Sequence, residues 1–86
     1  MNPDIDDIRR QLRAWVREQG NRPDGEAPAD AADLLKEGWI DSLGLMMLMS
    51  CVEDLLGRAL RDDEMRMQNF VSIDSIVRGL FRPVAA

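Results

Sequence analysis

SLGLMMLMSCVEDLLG, residues 42–57, is the stretch whose reading decides the fold. Met46, Met49, Val52 and Leu56 recur at intervals of three and four residues, the spacing of one face of an α-helix. Ser42 is a favourable N-cap residue and Gly57 stands where a helix C-terminal glycine usually does, so the sequence predicts a central helix over residues 42–57. Leu45, Met47 and Leu48 widen the apolar content beyond one face. Such a helix is either enclosed on several sides or shows apolar surface to a partner. Methionines at helical spacing ordinarily belong to the core, and Cys51 reads as a small buried hydrophobe, with no histidine or lysine nearby in sequence to stabilise a thiolate.

Working towards the N-terminus, LLKEGWID carries Leu34, Leu35, Trp39 and Ile40 without a sustained period, which predicts a loop pinned to the core by side chains and turning at Gly38. GNRPDGEAPADAAD, residues 20–33, has two prolines and two glycines among small and acidic residues. Together these make a long surface loop over about residues 20–40. Before it, Ile5, Ile8, Leu12, Trp15 and Val16 form a helical stripe, with acids at the start and arginines later, as the helix dipole prefers. This predicts a first helix over about residues 4–18, stopped by Gly20.

Towards the C-terminus the chain turns polar and acidic after Arg58, and MRMQNF offers one short turn of helix, about residues 65–69. A last helix over about 72–81 follows, capped by Ser72 and striped by Ile73, Ile76, Val77 and Leu80. No stretch reads as a strand. The fold class expected is all-α: a small four-helix bundle of three main helices and one short one, in a single domain spanning residues 1–86.

Size and composition narrow the function. A chain of 86 residues buries only a small core, which disfavours an enzyme with a deep pocket of its own. No apolar run reaches the roughly 18 residues of a membrane span, and the acidic start does not fit a secretory signal, so the expected location is cytoplasmic. The single cysteine makes no internal disulfide, and without histidine a Cys/His zinc site is excluded. Carboxylates alone are left as metal ligands, and no loop motif arranges them. Residues 24–64 hold eleven acids against three bases, a local net charge of −8, while the whole chain carries −5. That middle repels phosphates and anionic lipid heads and draws in proteins with basic patches, so neither a nucleic acid nor a membrane is expected as partner. Unless something else assigns it a role, the charge is equally a plain solvated surface.

Ser42 is the candidate chemical residue. A hydroxyl nucleophile needs a base; this chain has no histidine and Lys36 is its only lysine, which argues against autonomous acyl transfer. No catalytic residue and no metal ligand are therefore expected. A serine in the first turn of a helix nevertheless suits an attached anion, because unpaired backbone N–H groups and the positive end of the dipole face it. The plain alternative is that Ser42 is only a cap.

The pattern around that serine resembles the acyl carrier protein family over nearly the whole chain. DLLKEGWIDSLGLMMLMSCVEDLLG is similar to the family's D-L, glycine, D-S-L and apolar helix ending in an acidic pair before glycine, and NFVSIDSIVRGL is similar to its closing short helix, turn and last helix. The resemblance implies an acyl-carrier-type bundle that is a substrate of other enzymes. It implies that Ser42 is the attachment point for 4′-phosphopantetheine, delivered from coenzyme A by a separate phosphopantetheinyl transferase that brings its own magnesium. The arm's thiol would carry an acyl or aminoacyl group as a thioester to acyl-loading and acyl-processing enzymes, the carrier acting as a monomer. Asp41 and Leu43 would help present the serine. Glu53 and Asp54 match the family's acidic pair, with Asp62, Asp63 and Glu64 extending it, and the acidic middle would then speed brief encounters with partners.

Two positions depart from the family's housekeeping members. Gly44 stands where an acid typically follows D-S-L, and Met47 where those carriers have a glutamate. Gly44 removes a side chain beside the arm and weakens the helix start, while an exposed Met47 offers a soft, adaptable contact. The departures imply a discrete carrier for a dedicated pathway, polyketide-like or otherwise specialised. An aminoacyl or peptidyl carrier is the nearer alternative, although that family more often has G-G-x-S where this chain has WIDS. The more distant alternative is a small helical interaction domain that is never modified.

Overall fold

The computed structural model describes residues 4–21 and 26–81, and within them the chain forms three α-helices and two 3-10 turns with no strand. The part of the predicted loop at residues 22–25, with Asp24, lies outside the described residues. No described helix is long and apolar enough to cross a membrane.

Helix α1 spans Ile5–Gln19. The Asp4 carboxylate accepts the Asp6 N–H at 3.0 Å, and Asp6, Asp7 and Arg17 complement the two ends of the dipole. Ile8, Leu12 and Val16 are buried, with Ile5 and Trp15 half-buried at the edge of the same stripe. The helix ends at Gly20, which turns to extended backbone, and only glycine fits there: a Cβ would stand 2.4 Å from the Val16 carbonyl oxygen and 2.6 Å from that of Trp39. The loop returns at this point, and Asn21 N–H donates to the Trp39 carbonyl at 2.9 Å.

The long loop is pinned to the core as expected. Leu34, Trp39 and Ile40 are buried and Leu35 is half-buried. Trp39 and Ile40 N–H groups both donate to the Leu34 carbonyl, and Leu34 N–H donates to Val71 at 2.8 Å, so the loop is tied to the chain just before the last helix. Ion pairs add a second tie. Arg9 on α1 reaches both Asp30 in the loop and Asp74 in the last helix, and Arg13 donates to Asp30 at 2.7 Å. Burial pushes the Asp30 carboxyl upward, but the hydrogen bonds from Arg13 and Arg9 outweigh it and hold the pKa below its ordinary value.

Helix α2, Ser42–Leu56, ends as expected at Gly57, whose φ of 74° is left-handed and whose N–H closes on Glu53. Its start and its rotation differ from expectation. Asp41, not Ser42, is the N-cap: the Asp41 carboxylate accepts Gly44 N–H at 2.7 Å, and Ser42 is the first helical residue. The buried stripe is Leu45, Leu48 and Val52, whereas Met46 is 66% exposed and Met49 and Leu56 are only half-buried. The helix is apolar on most of its circumference, so periodicity left two adjacent stripes nearly equivalent, and packing selected the one that meets the core.

The short helix expected at 65–69 is replaced by two 3-10 turns, Asp62–Glu64 and Met67–Phe70. The first is closed by a buried carboxylate: Glu64 accepts both guanidinium nitrogens of Arg58 at 2.8 Å and the Arg61 N–H at 2.9 Å. The second is anchored by Phe70, which is fully buried. Helix α3, Ile73–Leu80, matches its prediction, with Ser72 accepting the Ser75 N–H and Ile73, Ile76, Val77 and Leu80 all buried. One apolar cluster joins the three helices, Phe70 and the pinned loop.

Candidate functional site

The N-terminus of α2 is an exposed apolar platform around one hydroxyl. Ser42 is exposed and forms no side-chain hydrogen bond among the described residues. Because Asp41 does the capping, the Ser42 Oγ is left available rather than consumed by the backbone. The first-turn N–H groups of Ser42 and Leu43 have no intrahelical acceptor, so an anion on Ser42 Oγ would meet two free donors and the positive end of the dipole. Leu43 and Met46 are each 66% exposed and Met47 is 49% exposed. Three large apolar side chains thus stand in solvent within the first two turns of one short helix, next to the serine.

The predicted site residues fall into two groups. Asp41, Ser42, Leu43, Gly44 and Met47 come together at the head of α2, while Glu53 and Asp54 lie in its last turn. Gly44 is not open space beside Ser42. A Cβ at this position would stand 3.2 Å from the Ile40 Cβ and 3.3 Å from the Asp41 carboxylate, so its bareness makes room for the buried Ile40 and for the cap. Glu53 is half-buried and its carboxylate accepts the Leu60 N–H at 2.7 Å, which bends the chain after α2. Asp54 and Asp62 keep exposed carboxylates with no ion pair among the described residues, whereas Asp63 pairs with Arg61. Much of the acidic middle is therefore used internally: Asp30, Asp33, Asp41, Glu53 and Glu64 each hold a backbone N–H or a guanidinium.

A groove of about 340 Å³ runs between α1 and α2, lined by Trp15, Met47, Ser50, Cys51 and Asp54. Sequence reasoning placed Trp15 only in a core stripe. Its position three residues after Leu12 and beside Val16 puts it at the stripe's edge, a signal visible only once the rotation of α2 is known. Burial, then the charge of Asp54, pushes the Cys51 thiol pKa up, so this half-buried sulfur stays a neutral wall of the groove. No group of three or more carboxylates and thiols is arranged to hold a metal among the described residues.

Compared with known proteins, the chain matches no protein-family model, no curated protein and no solved structure.

Proposed function

We propose that the chain is a discrete acyl carrier protein, holding an acyl or related intermediate as a thioester on a 4′-phosphopantetheine arm attached to Ser42. The observation that carries this reading is the division of labour at the head of α2. Asp41 accepts the Gly44 N–H, which frees the exposed Ser42 hydroxyl at the first helical residue. A serine needed only as a cap would hold that N–H itself. The residues present fit a phosphodiester: a free hydroxyl to carry it, two unpaired backbone N–H groups to face it, and open surface around it.

The arm, when attached, supplies a long flexible tether ending in a thiol that forms the thioester. Attachment joins Ser42 Oγ to the phosphorus next to pantetheine in coenzyme A and breaks that phosphorus's bond to the bridging oxygen, releasing 3′,5′-ADP. The serine proton goes to a base on the transferase, which accounts for a chain without one. The chain's own part is display: α2 fixes the hydroxyl, and Leu43, Met46 and Met47 give partners an adaptable apolar contact. The order of helices, with the two 3-10 turns in place of a short helix, supports a bundle of acyl-carrier type. On this reading the protein is a cytoplasmic, monomeric substrate of a phosphopantetheinyl transferase and of acyl-loading and acyl-processing enzymes in a dedicated pathway. It is not an enzyme.

Incubation with coenzyme A and a broad-specificity phosphopantetheinyl transferase, followed by intact mass spectrometry, tests the reading. The wild type gains the mass of one phosphopantetheine and Ser42→Ala gains none. An unchanged wild-type mass, or modification of Ser42→Ala, overturns it.

A further inference from the structure

The groove between α1 and α2 lies on the same helix as Ser42, and its chemistry says something about the cargo. Ser50 and Asp54 lie eight and twelve residues beyond Ser42, about 12 and 18 Å along the axis at a rise of about 1.5 Å per residue, within reach of an extended phosphopantetheine arm with its acyl group. The lining is mixed, more apolar than polar: the half-buried indole of Trp15 and the thioether of Met47 stand with the Ser50 hydroxyl and the Asp54 carboxylate. A carboxylate, a hydroxyl oxygen and an aromatic face all favour a cation, and no basic side chain lines the groove to compete. Asp54 forms no ion pair among the described residues, so its charge is available to an incoming group. At about 340 Å³ the groove suits a short group better than a long alkyl chain.

Resting on the carrier reading above, we propose that the groove between Trp15 and Asp54 receives a short, ammonium-bearing acyl group carried on Ser42, so that the cargo class is aminoacyl. The ammonium sits between the Asp54 carboxylate and the Trp15 indole, Ser50 Oγ accepts one of its N–H bonds, and Met47 covers the methylene stem. Asp41 and Leu43 serve attachment; Trp15, Ser50 and Asp54 serve discrimination between cargoes.

The test uses the full chain loaded at Ser42 with arms ending in β-alanyl or in propionyl, which differ by the amino group, and with the bare arm as reference. The chain has two tryptophans, so the indole N–H signals in a proton–nitrogen correlation spectrum are two, assigned with a Trp15→Phe variant. The expected result is a shift of the Trp15 signal with the β-alanyl arm, a much smaller one with propionyl, and an unmoved Trp39 signal. In Asp54→Asn, which removes no internal bond, the difference between the two cargoes disappears. Equal Trp15 shifts for the two arms, or a difference that survives Asp54→Asn, overturns the aminoacyl assignment while leaving the carrier reading standing. Failure of Ser42 to accept any arm overturns both and is seen first, in the intact mass.

Discussion

Asp41 and Ser42 are neighbours with separable jobs, and substitution separates them. Asp41→Ala removes the cap of α2 and should cost about 1 kcal/mol in urea unfolding. Ser42→Ala removes a hydroxyl that bonds nothing among the described residues, so the unfolding midpoint should stay within about 0.5 kcal/mol of wild type while phosphopantetheine uptake is lost. A destabilisation equal to that of Asp41→Ala would return the serine to a capping role. Met47→Glu replaces a half-exposed side chain and should leave the circular dichroism melt unchanged while slowing a reaction with the native partner enzyme. An unchanged rate would remove Met47 from the partner contact. The sequence names all these residues as candidates, but it misplaces the cap by one position and does not reveal that a side chain at Gly44 would crowd Ile40. Capping depends on backbone direction just before the helix, and two adjacent residues, Asp41 and Ser42, are both good caps.

At the scale of elements, the segment between α2 and α3 is held by charge at Glu64 as well as by the burial of Leu60 and Phe70. The hydrogen bonds from Arg58 and Arg61 hold the buried Glu64 carboxyl down at about 2, against its ordinary value near 4.5. A carboxyl whose pKa is lower in the folded chain stabilises fully above its unfolded pKa, and the contribution fades as pH falls from about 4.5 towards 2. Solvent at the exposed end of Arg58 discounts the effect, which should amount to about 1 to 2 kcal/mol at neutral pH. Urea unfolding of wild type and Glu64→Gln at pH 7 and at pH 2.5 checks this: the gap between them should narrow strongly at the lower pH. A gap independent of pH would mean that shape and not charge closes the turn. At the other end of the same segment, Gly57→Ala forces a side chain into a left-handed conformation and should cost about 1 kcal/mol, measured by the same unfolding curve.

The whole molecule stands on one small core, and a domain of this size has a total stability of about 5 kcal/mol. Val52→Ala, at a fully buried position of α2, should cost about 2 kcal/mol and lower the urea midpoint well beyond the shift of Ser42→Ala at the head of the same helix. If it does not, α2 is not packed through the stripe of Leu45, Leu48 and Val52. That contrast, between a helix that carries the core on one side and an exposed apolar platform on the other, is where sequence and tertiary structure part. The sequence by itself determined the three α-helices, the loop pinned through Leu34, Trp39 and Ile40, the caps at Ser72 and Gly57, and the serine at the start of the central helix, because each depends on local periodicity or on backbone chemistry. Only the tertiary structure decided which face of α2 is buried, that Met46 stands in solvent, that Trp15 and Asp54 share a groove, and that Asp30, Asp33, Asp41, Glu53 and Glu64 are bound internally. The physical reason is that an almost wholly apolar helix does not specify its own rotation; only the shape of the core it packs against does.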